Sequence, residues 1–278
     1  MLRLGLLDGE KFLSEFPQMK MELEKCVREL HALADKIQKT HRDCTISNVV
    51  ASSTGVISGV LTITGLALAP LTAGVSLGLM ATGMGLGTAA AVTSVSATIV
   101  DHSVHLSAKA KASKLVSTDN NTQEEIVKAV GQNTDKLVSI TRTCIKDTRV
   151  IEKNINAFKL AKANPRLAAN ARRFMTNGSI SVRKGRQVQK AFEGTALAMT
   201  KGARMVGMAS TGIFLLMDLA SLVKESKHLY EGAKTESADD LRLKASMVEK
   251  KLKELTQIYE SLQRLTMLTK FFWFVTVD

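Results

Sequence analysis

The sequence is poor in aromatic residues (4%), in proline (3 of 278) and in cysteine (3). With so few aromatics and no run alternating Tyr, Thr and Val, an all-β sandwich is improbable, and the Leu, Ala, Val and Met that dominate the apolar 45% favour helix. Cys26, Cys44 and Cys144 form neither a CxxC nor a paired framework, which disfavours a disulfide scaffold and a zinc site of ordinary spacing. They read as reduced thiols of a cytosolic-facing protein. No GxxxxGK[ST], HExxH or GxSxG occurs, and Gly83-Met84-Gly85-Leu86-Gly87 has neither a preceding strand nor a phosphate-directed Lys. Catalysis, a metal and a cofactor are therefore not expected. The apolar stretch before Asp8 is too short for a secretory signal, which favours a cytoplasmic protein associated with intracellular membranes.

Charge is missing from one long segment. Cys44 to Val100 is 57 residues without Asp, Glu, Lys, Arg or His. Two lengths of about 20 residues, each able to cross a bilayer as helix, fit on either side of Pro70. Val49 to Ala69 and Thr72 to Ser96 form a helical hairpin in this reading, with its turn at Ala69 to Gly74. From Ile46 to Val100, 32 of 55 residues are Gly, Ala, Ser or Thr, so the helices are only moderately hydrophobic and insertion is conditional. Gly55 with Gly59, Gly74 with Gly78 and Gly83 with Gly87 stand four apart, a spacing that lets helix backbones approach closely. The same hairpin also suits the interior of a soluble bundle.

The charges that are present cluster. Lys159 to Arg204 carries 11 basic residues and one acid, Glu193, so it holds +10 of the net +12. Arg166, Arg172, Arg173, Arg183, Lys184, Arg186 and Lys190 are its centre. Such a segment attracts anionic phospholipid at about 1 kcal/mol per basic residue near the surface. Nucleic acid is disfavoured, because the only interleaved aromatics are Phe174 and Phe192 and no recognition motif appears. A solvated basic surface is the plainer alternative.

Amphipathic helices flank these segments. Phe16, Met19, Leu23, Val27, Leu30, Leu33 and Ile37 form an apolar stripe over residues 18–42. Thr122 and Glu125 match a capping box and open a second helix that ends at Asn164-Pro165. A third apolar element runs from Met205 to Val223 with Asp218 as its one ionisable residue, and Glu225 follows two turns on, on the same face. An acid in a membrane-length segment is costly and marks a functional candidate, although pairing with a basic residue in a core helix fits the spacing equally. Leu241, Ala245, Val248, Leu252, Leu255, Tyr259 and Leu262 alternate spacings of four and three, so residues 241–262 suit a helical partner or self-association. Phe271, Phe272, Trp273 and Phe274 fit a bilayer interface or a partner groove.

The expected fold is all-α: an amphipathic helix bundle enclosing or presenting a hydrophobic hairpin, with a C-terminal coiled-coil-like helix. Its segments are residues 1–45 (amphipathic helix), 46–100 (hairpin), 101–164 (amphipathic region), 165–204 (basic), 205–230 (third apolar segment) and 231–278 (coiled-coil-like helix and aromatic terminus). The hairpin, and above all Gly212-Ile213-Phe214-Leu215-Leu216-Met217-Asp218 running into Glu225-Ser226-Lys227-His228-Leu229-Tyr230-Glu231-Gly232-Ala233-Lys234, resembles apolipoprotein L. That resemblance implies a helical protein that binds anionic lipids, inserts into membranes, permeabilises or remodels them, and in some members conducts cations under pH control. It also implies that Asp218 and Glu225 hold the acidic positions of a pH-dependent channel segment and that the protein acts in defence against intracellular microbes. The alternative from another class is a peripheral lipid-binding scaffold that acts through its coiled coil.

Overall fold

A computed structural model describes the backbone of residues 2–72, 74–116, 122–177 and 180–276, with side chains for 11–72, 74–115, 138–176 and 180–267. Those residues form seven α-helices and one short 3-10 turn, and no strand occurs among them. The helices are α1 (Leu2–Thr72), α2 (Val75–Val116), α3 (Thr122–Ala163), α4 (Pro165–Asn177), α5 (Val182–Ala191), α6 (Lys201–Tyr230) and α7 (Glu236–Thr276). The 3-10 turn, Ala196–Ala198, lies between α5 and α6. The all-α expectation holds.

The amphipathic stretch 18–42 and the first arm of the hairpin are not two elements but one helix, α1. Composition changes near residue 45, yet no glycine or proline interrupts the backbone there, so the helix continues through the change. The hairpin turn is also tighter than expected. Pro70 sits within the last turn of α1, where its fixed φ is helical and it forfeits only one backbone bond. The reversal instead falls at Gly74, whose φ of +130° is open to glycine alone.

The helices group into two units: Met1–His41, Val104–Gln123 and Lys234–Asp278 form the first, and Arg42–Ser103 and Glu124–Ala233 the second. In the first, Leu30, Leu33, Ala34 and Ile37 of α1, Ala108 and Ala112 of α2, and Ala238, Leu241 and Ala245 of α7 make a buried cluster. Two polar contacts and one ring stack at its margin fix the register of α7 on α1. Arg242 bonds Asp35 at 3.1 Å, His31 meets Glu249 at 3.4 Å, and Phe16 stacks on Tyr259 with centroids 4.6 Å apart. Leu241, Ala245 and Tyr259 of the heptad-like stripe thus pack on the chain's own α1.

In the second unit the core joins Leu66 and Ala69 of α1, Leu77 and Met80 of α2, Ala157 and Ala161 of α3, and Ala168, Ala171, Met175, Val188, Phe192 and Leu197 beyond them. Residues 168, 171 and 175 recur at helical spacing, so α4 turns one apolar face inward and its arginines outward. At the end of α6, Gly232 (φ +93°) and Ala233 (φ +47°) reverse the chain while the Ala233 N–H donates to the His228 carbonyl at 2.8 Å.

Candidate functional site

Within the second unit the two arms of the hairpin touch where side chains are absent. A Cβ added at Gly83 would lie 2.7 Å from Thr62 Oγ1 and 3.0 Å from the Ser58 carbonyl, and one at Gly87 would lie 2.7 Å from Ser58 Oγ. Ser58 in turn donates its hydroxyl to the Gly83 carbonyl at 2.6 Å, across the gap the missing side chain leaves. Gly65 belongs to this contact too, since its Cβ would meet Met80 Cγ at 2.5 Å. The four-residue spacing did not reveal Gly65, because its complement is a methionine on the opposite arm. Gly78 faces open space, and Gly74 forms the turn with the Ala161 Cβ 3.0 Å from where its own would stand.

Gly55 and Gly59 face α6 instead. Leu215 sits on Gly59, with its Cδ1 3.1 Å from the position of an added Cβ, and the Asp218 carboxylate sits on Gly55 at 2.6 Å. Leu66 Cδ1 lies 3.7 Å from the corresponding position at Gly207, so α6 runs antiparallel to residues 55–66 of α1. Asp218 is half-buried there, with no ion-pair or hydrogen-bond partner among the described residues, and Glu225 is half-buried two turns further on. The second arm of the hairpin packs on α3, where Thr88 Oγ1 donates to Asp147 Oδ2 at 2.9 Å and the buried Asn154 lies under Met84.

The outer surface of α6 is apolar. Val206 (70% exposed), Phe214 (65%) and Leu216 (66%) are uncovered, together with Met205, Ile213, Met217, Leu219 and Val223. None of the 18-residue apolar window of α6 is buried, and the one buried residue of the helix is Arg204. By charge alone Arg204 belongs with the basic run 159–204, but in the fold it is buried and donates to the Met175 carbonyl of α4 at 3.4 Å. By length and composition, three helices can cross a membrane: those carrying residues 11–72, 75–115 and 201–230.

Beside this apolar group, Arg166, Arg172 and Arg173 on α4 and Arg183, Lys184, Arg186 and Lys190 on α5 are all exposed. None has an ion-pair partner among the described residues. Glu193 is the one acid in the stretch, so the positive field is uncompensated locally. Phe271, Phe272, Trp273 and Phe274 fall outside the residues whose side chains are described. The three cysteines are free thiols.

Most of the sequence matches known proteins. The family model described as Apolipoprotein L matches residues 1–257. Human Apolipoprotein L3 is 44% identical over 253 residues, covering 91% of this chain and 61% of that protein. Human Apolipoprotein L6 is 46% identical over 260 residues, 91% of this chain and 74% of the relative. Human Apolipoprotein L1 is 39% identical over 254 residues, 91% and 64% respectively. The chain therefore spans about three fifths of the length of Apolipoprotein L3. No solved structure matches. With the uncharged hairpin, the apolar α6 and the Ser226 to Lys234 run all inside the matched region, the chain belongs to the apolipoprotein L family.

Proposed function

We propose that this protein binds anionic membranes through the basic surface of α4 and α5, then inserts α6 and the hairpin α1–α2 and permeabilises or remodels the bilayer. Membership of a lipid-related family supports the coarse part of that reading. The observation that carries the finer part is the outer face of α6, where eight large apolar side chains stand in water. Moving them into hydrocarbon is favourable by on the order of 10 kcal/mol in gross terms, a driving force that the water-exposed state leaves unused. Each basic residue near an anionic surface adds about 1 kcal/mol, which supplies the first, reversible encounter.

The small-residue contacts suit a rearrangement. Gly55, Gly59, Gly65, Gly83 and Gly87 let the three apolar helices meet closely with few bulky side chains interlocked, a mode of packing that works in lipid as well as in water. Asp218, alone among ionisable residues between Met205 and Val223, and Glu225 beyond it then face the helix partners and line a cation pathway. A role in host defence and association with intracellular membranes accord with this activity.

Flotation on anionic vesicles tests the reading. Binding that survives alkaline carbonate and is accompanied by release of a trapped ion supports insertion and permeabilisation. Binding that disappears in carbonate or high salt without leakage identifies a peripheral scaffold and overturns it.

A further inference from the structure

We propose that His41 of α1 and His105 of α2 form a binding site for a divalent transition metal of the zinc type, with Asp101, one turn before His105, as the third ligand. The two imidazoles meet edge to face, with ring centroids 6.0 Å apart. A ring nitrogen of His41 lies within 4.8 Å of one of His105, and an Asp101 carboxylate oxygen lies within the same distance of that His105 nitrogen. Asp101 and His105 stand four residues apart on the uninterrupted α2, so the helix itself sets the carboxylate beside the imidazole. All three side chains are half-buried, which holds them in place and leaves them open to an ion arriving from solvent.

The donor atoms choose the ion. Two imidazoles and one carboxylate suit zinc, copper or nickel, whereas calcium and magnesium take oxygen donors throughout. Three protein ligands, with a fourth position left to water, is also the count of an open zinc site. Zinc bonds of about 2.0–2.1 Å put tetrahedral ligand atoms roughly 3.3 Å apart, so the nitrogens and the oxygen need to close by at most about 1.5 Å. Rotation of half-buried side chains about χ1 and χ2 covers that distance. Ligand spacing along the chain gave no sign of the site, because His41 and Asp101 stand some 60 positions apart. His41 precedes the uncharged run 44–100 and Asp101 and His105 follow it, so a bound ion ties α1 to α2 where that run leaves and returns. Its binding free energy then stabilises the pairing of the two helices.

Competition between the reduced full chain and a chromophoric zinc chelator tests the site. The wild type takes up zinc, and calcium or magnesium at the same concentration does not displace it. His41→Gln and His105→Gln each weaken zinc binding at least about 100-fold and Asp101→Asn about 10-fold, since losing a ligand costs no less than losing a group that orients one. His102, exposed and next to Asp101 in sequence, is the control, and His102→Gln leaves the affinity unchanged. The free thiols of Cys26, Cys44 and Cys144 are the competing ligands. Cobalt(II) in place of zinc therefore shows no thiolate charge-transfer band, and an intense one assigns the metal to cysteine and overturns the proposal. Should a histidine variant fail to fold, the assigned ring-proton resonances of the wild type decide. Zinc shifts those of His41 and His105 and leaves those of His31, His102 and His228 in place. A wild type that cannot compete with the chelator, undiminished affinity in both histidine variants, or shifts confined to the other histidines overturns the site.

Discussion

Two glycines five residues apart on α2 are expected to respond oppositely to the same added methyl group. At Gly83 a Cβ would stand 3.0 Å from the Ser58 carbonyl and 3.2 Å from the Thr62 amide nitrogen, which are backbone atoms of α1, as well as 2.7 Å from Thr62 Oγ1. A hydroxyl can rotate away, but a backbone cannot without moving its helix. Overpacking of this kind costs about 1–3 kcal/mol. Separating the arms also stretches the 2.6 Å bond from Ser58 to the Gly83 carbonyl, a further cost of about 1 kcal/mol. The gain in helix propensity returns up to about 1 kcal/mol, so Gly83→Ala destabilises by roughly 1–3 kcal/mol. At Gly78 nothing lies within 4 Å of the new atom, so Gly78→Ala keeps only the propensity gain and stabilises by about 0.5–1 kcal/mol. Urea unfolding followed by helical circular dichroism reads both. If the two substitutions shift stability in the same direction, the close approach of α1 and α2 at Gly83 is wrong.

Further outcomes follow from the surface and the core. Changing Arg172, Arg173 and Arg183 together to Gln is expected to weaken binding to anionic vesicles about 100-fold in low salt, and the difference narrows as salt screens the surface, as co-sedimentation at two salt levels will register. Phe214→Asn touches a side chain already in water, so unfolding stability stays within about 0.5 kcal/mol of the wild type while vesicle leakage falls sharply. Leu241→Ala opens a cavity between α7 and α1 and destabilises the first unit by about 2–4 kcal/mol, visible as faster proteolysis of α7. Asp218→Asn and Glu225→Gln each displace the dependence of cation flux on pH, since the amide that replaces each acid is neutral at every pH and attracts no cation; profiles that superimpose on the wild type remove both residues from the pathway.

The elements were legible in the sequence wherever a signal was local. Thr122 with Glu125 and the Asn164-Pro165 pair bracket α3, and the heptad-like run after Leu241 marks α7, because caps, breakers and periodicity act within a few residues. Pro165 carried a second message that was missed: it both ends α3 and starts α4, as its fixed φ suits a first helical position. The continuity of α1 was hidden for the opposite reason. A shift from charged to small apolar residues near position 45 looks like a boundary, yet composition alone does not break a helix. Partners brought together by the fold lay beyond a linear reading. Gly65 has meaning only opposite Met80, Gly55 only beneath Asp218, and Arg204 only where it meets the Met175 carbonyl of α4. Pairing of α7 with α1 is equally non-local, joining residues some 200 positions apart, as Asp35 and Arg242 are.

The central claim is that α6 leaves water for the hydrocarbon of an anionic bilayer. A single tryptophan at its most apolar stretch, placed by Phe214→Trp in a chain carrying Trp273→Phe, reports that directly through quenching by lipids brominated at graded depths. On anionic vesicles the account predicts strongest quenching by bromines near the bilayer centre and none on neutral vesicles. Quenching confined to the shallowest label, or absent while the protein remains bound, would contradict it.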